Sequence, residues 1–276
     1  MPTEILQVSI LTKNGTLLNL SESPYTICES EGLGMAPFQR ILERDVSLHG
    51  KRDMGYLLET RTIRFQLKAS AGSPVEHFQR RDELLSVLRP GEDPLTLRIT
   101  LPGGEVRDID CHLLKGLDFR TRDRKGYVQE TEIVLQAPDP TFFDPQVQST
   151  VWTYSTGGSM ELDIAYTAGW HAYPLLEIMG PVVNPAIFNE TTGELIRLDT
   201  TINLGETVTV DTRTSIKTIK NQADTNLMGI VNPISDLGTF HLVANGSVNT
   251  FTIAGSGMGN GTTEVKVSWN NRYIGV

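Results

Sequence analysis

Cysteine is almost missing from this chain: 276 residues hold only Cys28 and Cys111. They form no CxxC spacing and no framework of pairs, which argues against a disulfide scaffold or a redox pair. The expectation is two buried free thiols that behave as small apolar residues. Histidine is scarce as well, with His49, His77, His112, His171 and His241 scattered singly. No HExxH, GxSxG or phosphate-loop pattern is present. Cys111 and His112 adjoin on a strand, so their side chains leave opposite faces and cannot share a metal. Long apolar runs are lacking too, and nothing approaches the roughly 20 residues that span a bilayer. Met1-Pro2-Thr3-Glu4 has neither the basic start nor the apolar stretch of a secretory signal. The expectation is a protein made in a cytoplasm, with no membrane insertion. A net charge of −9 argues against a general affinity for nucleic acid.

Carboxylates are plentiful, yet their spacing suggests no catalytic pair. Asp108 and Asp110 lie two apart on one strand and share a face, which reads as solvated or interfacial. The run Asp118-x-Arg120-x-Arg122-Asp123-x-Lys125 lacks the spacing and glycine of a calcium loop. The prediction is therefore a non-enzyme, with no catalytic residue, no cofactor and no metal.

Charge density drops sharply near Pro145. Residues 1–145 carry 18 Lys and Arg and 22 Asp and Glu, whereas residues 146–276 carry 6 and 11. Between the halves lies Ala137-Pro138-Asp139-Pro140-Thr141-Phe142-Phe143-Asp144-Pro145. Its prolines lack backbone donors and fix φ, so the segment should continue neither a central strand nor a helix. It marks a boundary between domains 1–145 and 146–276.

The first half holds one helix. Ser73 caps it, Pro74 opens it and Glu76 completes a capping box. Val75, Phe78, Leu85 and Leu88, with Leu84 beside them, give an apolar stripe that should lie on a sheet. The sheet shows as alternation at Ile63, Phe65 and Leu67, at Leu95, Leu97, Ile99 and Leu101, and at Tyr127, Gln129, Thr131, Ile133 and Leu135. Pro102-Gly103-Gly104-Glu105 turns the second of these into a hairpin with Val106–Leu113. Gly32–Leu58 has little periodicity and no evident core face. It reads as an arm or loop that packs on something else, with Gly32, Gly34, Arg40, Arg44, Gly50, Arg52 and Gly55 as candidate inter-subunit residues.

The second half reads as short strands broken by turns at Gly205-Glu206, Asn245-Gly246 and Asn260-Gly261. Phe240 and Leu242 mark one strand; Phe251 and Ile253, then Val265, Val267 and Trp269, mark others. An antiparallel sandwich or jelly roll follows. The whole is mainly β with one helix, an α+β first domain and a β-sandwich second. Trp152, Trp170, Tyr173 and Trp269 are better read as core than as a sugar platform. Trp170 and Tyr173 remain the candidates for carbohydrate contact, which keeps open an adhesion protein acting through the second domain.

These residues also resemble a known family. The segments Glu31-Gly32-Leu33-Gly34-Met35, Arg61-Thr62-Ile63-Arg64-Phe65, Leu95-Thr96-Leu97-Arg98 and Gly116-Leu117-Asp118-Phe119 are similar, in that order, to those of the distal tail (Dit) proteins of long-tailed siphophages. The run Gln136–Pro145 is the most specific piece. Gly205-Glu206-Thr207-Val208-Thr209-Val210-Asp211-Thr212 and Val267-Ser268-Trp269 extend the resemblance into the galectin-like second domain of such proteins. No sugar-binding motif carries over residue by residue. The resemblance implies a virion component at the tail tip, a homo-oligomeric ring (usually a hexamer) between tail tube and tip or baseplate. The N-terminal belt domains would form the ring, and the other domains would project outward. Tail tube protein, tail-tip hub protein and receptor-binding or adhesion proteins would be its partners. DNA would pass through the lumen without specific binding.

Overall fold

A computed structural model describes residues 6–44, 49–91, 93–120, 124–158, 160–214, 216–244 and 246–276. Asn245, Arg122 and Asp123, named above in a turn and a charged loop, fall outside the described residues. The chain divides into two compact units, residues 1–145 together with 274–276, and residues 146–273.

In the first unit, β1 (Gln7–Leu11), β2 (Leu17–Asn19) and β3 (Tyr25–Glu31) precede a separate hairpin of β4 (Phe38–Glu43) and β5 (Arg52–Leu58). Then come β6 (Arg61–Ser70), α1 (Pro74–Val87), β7 (Leu95–Thr100), β8 (Val106–Lys115), β9 (Arg124–Lys125) and β10 (Val128–Ala137). Antiparallel pairing runs β2–β1–β7–β8 and β8–β10–β6–β3. Strand β8 serves both ladders: Val106–Cys111 pair with β7, and His112–Lys115 with β10 across a bulge. The alternation in the sequence has its expected cause. Ile63, Phe65, Leu67, Leu97, Ile99, Ile133 and Leu135 are all fully buried, and burying each such side chain contributes about 1.5–3 kcal/mol.

Helix α1 begins as its sequence dictates, with the Ser73 hydroxyl accepting from the Glu76 N–H at 3.2 Å. The Glu76 carboxylate, however, accepts from the Gly72 N–H at 2.8 Å. Only part of the expected stripe, Leu84 and Leu88, turns inward. His77, Leu84 and Leu88 are buried, whereas Val75, Phe78 and Leu85 are 68%, 54% and 44% exposed. Tyr25 of β3 fixes this rotation by donating its hydroxyl to Glu83 at 2.6 Å, within 2.9 Å of the Arg80 carbonyl. Burial, and then Glu83, push the Tyr25 hydroxyl well above its ordinary pKa.

Strand β11 (Phe142–Thr153) starts in the first unit and ends in the second. It contains Pro145, contrary to the expectation that this segment carries no strand. Its pairing with β8 falls at Phe143↔Asp108, so the missing N–H of Pro145 lies beyond that contact.

The second unit is a two-sheet sandwich. One sheet pairs β12 (Glu161–Tyr166), β19 (Ser247–Ser256), β14 (Val182–Asn189) and β15 (Glu194–Arg197), with β16 (Thr201–Ile202) beside β14. The other runs β18 (Thr218–Asn221), β17 (Thr207–Asp211), β13 (Leu175–Met179), β20 (Glu264–Tyr273) and the end of β11. Ile164, Ile187, Phe251 and Ile253 from the first sheet meet Leu176, Ile178, Val210 and Val267 from the second in one core. Phe240 and Leu242 join that core without forming a strand. Their segment makes an isolated bridge, Ala172↔Leu242, and is held by Asn249, which accepts from the Val243 N–H at 2.7 Å.

Candidate assembly surface

The hairpin β4–β5 is where the sequence reading expected an irregular arm. It forms its own two-stranded sheet, with Phe38 opposite Leu58 and Arg40 opposite Tyr56. All of β4 is exposed, and Phe38, Ile41, Leu42, Met54, Tyr56 and Leu57 range from 44% to 61% exposed. Alternation is therefore absent: neither face is a core face. Local contacts stiffen the ribbon. Phe38 and Tyr56 meet edge to face at 6.1 Å, and Arg40 pairs with Asp53. Asp53 accepts the Gly55 N–H at 3.0 Å, and that bond, with Arg40 beside it, holds its carboxyl below the usual range. A lone two-stranded hairpin is at best marginally stable in water, and contiguous exposed apolar surface is the kind that interaction sites use.

The root of the arm is built around a buried cation. Arg61, 1% exposed, directs its guanidinium at four backbone carbonyls: Pro140 (2.7 Å), Gly32 (2.7 Å), Gly34 (2.7 Å) and Ile274 (2.6 Å). The Phe142 ring lies 4.8 Å from its charge centre. Burial without a carboxylate partner brings its pKa down to about 10, so it stays charged at neutral pH. Residues 274–276 belong to this same knot. Ala36 N–H donates to Ile274 O and Val276 N–H to Leu33 O, both at 3.0 Å, and Arg107 reaches Gly275 O at 2.6 Å. Across the base, Glu59 N–H donates to Pro37 O at 2.8 Å, so the two legs of the arm meet there.

The candidate arm residues thus separate. Gly32 and Gly34 lie at the root as Arg61 acceptors; Arg40 is paired; Arg44, Gly50, Arg52 and Gly55 lie along the exposed ribbon. Asp108, read from the sequence as solvated or interfacial, is buried and gripped by Arg98 from β7 at 2.9 and 2.7 Å, while Asp110 remains exposed beside Thr96. Cys28 is exposed, not buried, because it sits at the bulge of the outermost strand β3. Cys111 is buried as expected, and its thiol is pushed up to about 12.

In the second unit, Trp170 and Tyr173 are half-buried beside two histidines that the sequence places 70 residues apart. His171 and His241 meet edge to face at 4.7 Å; Trp170 lies 5.3 Å from His171, and Tyr173 lies 6.3 Å from His241. His241 Nδ1 donates to Thr239 O at 2.7 Å and stands 3.4 Å from Glu194. Burial, and then His241, hold His171 below the usual imidazole pKa. Its unfolded form therefore binds a proton first, and the second unit should lose stability as pH falls below about 6.5. Thermal unfolding between pH 7.5 and 5 should show this loss in the native protein and a smaller one in His171→Phe. An equal loss in both would remove His171 as the cause.

No protein-family description matches the sequence, and no curated protein matches it. Solved structures do. The Dit protein (gp 19.1) of phage SPP1, described as a paradigm of the hub adsorption apparatus in phages infecting Gram-positive bacteria, superposes with a TM-score of 0.71 at 10% identity. The match covers 96% of this chain and 99% of that one. The phage P2 baseplate, activated with calcium or with strontium, gives TM-scores of 0.55 and 0.54 at 12% identity, over 96% of this chain and 98% of that one. The chain has the Dit fold.

Within the Dit fold, the residue that sequence reading missed is Arg61, quoted above only as part of a motif. The signal was present: Arg61 is in phase with Ile63, Phe65, Leu67 and Ala69, so a cation stands on the buried face of β6.

Proposed function

We propose that this chain is a structural subunit of a phage tail tip, non-enzymatic, closing into a hexameric ring through the β4–β5 arm. The observation that carries the reading is the arm itself, a ribbon whose apolar side chains on both faces are exposed among the described residues. Six such arms, each clasping the next copy, satisfy every one of those faces in a closed ring. The Dit fold over nearly the whole chain supports the setting: tail tube on one side, hub and receptor-binding or adhesion proteins on the other. The exposed side of β3, β6, β8 and β10 carries Glu29, Glu31, Glu130 and Glu132 against Arg64, Lys68 and Lys115. Lys125 of β9, opposite Val128 on the same side, balances these charges, so a channel lined by this face would carry no net basic charge for DNA to adhere to.

The test is removal of the arm. Because Glu59 N–H meets Pro37 O, residues 38–58 can be replaced by a short Gly-Ser linker without stretching the root. The expected product is a folded monomer that melts cooperatively but below the parent, because it lacks the stabilisation that assembly adds. A ring from the armless chain would refute the reading.

A further inference from the structure

The leg that carries the chain from β3 into the arm belongs to no strand: β3 ends at Glu31 and β4 begins at Phe38. Residues 32–37 lean instead on residues 274–276, which follow β20 and belong to the first unit. Ala36 N–H donates to Ile274 O and Val276 N–H to Leu33 O, both at 3.0 Å, so the two segments run as a short antiparallel pair. Their backbones approach closely. A Cβ on Gly275 would stand 2.6 Å from Gly34 O and 2.8 Å from the Gly34 carbonyl carbon. Two guanidinium groups secure the segment, Arg61 donating to Ile274 O and Arg107 to Gly275 O, both at 2.6 Å. Ile274 and Val276 are themselves only half-buried. The attachment is therefore polar and local, the kind that opens without unfolding the core beneath it.

We propose that residues 274–276 are a latch: docked, they hold the arm rigidly at its base, and released, they let it swing. The inference rests on the proposed ring only for its consequence in assembly. The hinge follows from the contacts. Gly32 is fixed, since its backbone lies so close to Thr62 O that a Cβ would stand 2.2 Å away. Gly34 has open space where a Cβ would be, so the chain can turn there once its neighbours let go. On the returning leg, Glu59 and Thr60 lie between β5 and β6 in no strand. The bond from Glu59 N–H to Pro37 O joins the legs to each other, so they move as one. Beyond Gly34, which Arg61 still holds, the backbone bond that ties the incoming leg to the rest of the unit is the one from Ala36 to Ile274 among the described residues. An arm held still has less freedom to lose when it clasps a second copy, so a docked latch favours the ring. Ile274 follows directly on Tyr273, the end of β20, so the order of the arm is supplied by a segment that comes after the second unit in the chain.

The experiment uses two variants of the full chain. Gly275→Ala sets a methyl group against the Gly34 backbone, which cannot swing aside, so the latch must lift. Val276→Pro removes the N–H that Leu33 O accepts and leaves the rest in place. Hydrogen exchange at the Ala36 amide reads the latch, while Leu67 in the middle of β6 reads the core of the first unit and Ile253 that of the second. Exchange at Ala36 is expected to rise about tenfold or more in both variants, with Leu67 and Ile253 unchanged. Parental exchange at Ala36 in both variants would overturn the latch, because the segment would then hold nothing. An equal rise at Leu67 would overturn it too, because the segment would then stabilise the unit as a whole. Native mass spectrometry of the same samples reads assembly. A weaker ring from both variants is expected, and rings as stable as the parent's would remove the latch from assembly. A parent that forms no ring counts against the proposed function, while exchange at Ala36 still decides the latch.

Discussion

Replacing Arg61 by alanine is expected to destabilise the first unit by about 4 kcal/mol, among the larger effects a single substitution produces. The change strips the carbonyls of Pro140, Gly32, Gly34 and Ile274 of their shared donor. Pro140 and Ile274 are half-buried and Gly32 and Gly34 exposed, so water replaces part of the loss, and the cost is about 1–3 kcal/mol for each carbonyl that water does not reach. For a unit of this size the loss lowers the melting temperature by roughly 10 °C. Lysine keeps a charge but not the planar fork, so Arg61→Lys should fall between the two. Scanning calorimetry reads all three proteins. An Arg61→Ala variant within about 1 kcal/mol of the parent would show that the root is held by its backbone bonds alone.

A second large effect is expected at Gly32, with Gly34 as its control. Gly32 has φ +83°, and a Cβ there would meet the Thr62 carbonyl oxygen at 2.2 Å. That atom is backbone of β6, so it cannot swing aside, and left-handed strain adds to the clash. Gly32→Ala should therefore cost about 3 kcal/mol or more. A Cβ on Gly34 meets nothing within 4 Å, so Gly34→Ala should stay within about 0.5 kcal/mol of the parent. Urea titration of both variants checks the pair. Equal costs would mean that the two glycines serve flexibility alike rather than one close approach.

Residues with one buried and one exposed face were legible in the sequence. β6 and β7 show it, as does the Ser73-Pro74-Glu76 start of α1, because period and capping chemistry act locally. Three features were not legible, each for a physical reason. The arm lacks alternation because both its faces are exposed among the described residues. Helix α1 carries two apolar faces, and the hydrogen bond from Tyr25 of a distant strand decides which turns inward. The pairing of Asp108 with Arg98 depends on which residues of β7 and β8 stand opposite one another, and His171 meets His241 only through the fold. Of the candidate site residues, the segment 32–58 as a unit was visible as something unpacked. The separate duties of Gly32, Gly34 and Arg40 needed the register of β4 and β5 and the position of Arg61.

The most direct test of the whole account is the mass of the intact chain in solution, by native mass spectrometry at about 10–100 μM with negative-stain imaging of the same sample. The account predicts a closed ring near 180 kDa, six times the 30.5 kDa subunit, with six-fold end views. A uniform 30.5 kDa species across that range, with the arm intact, would contradict it.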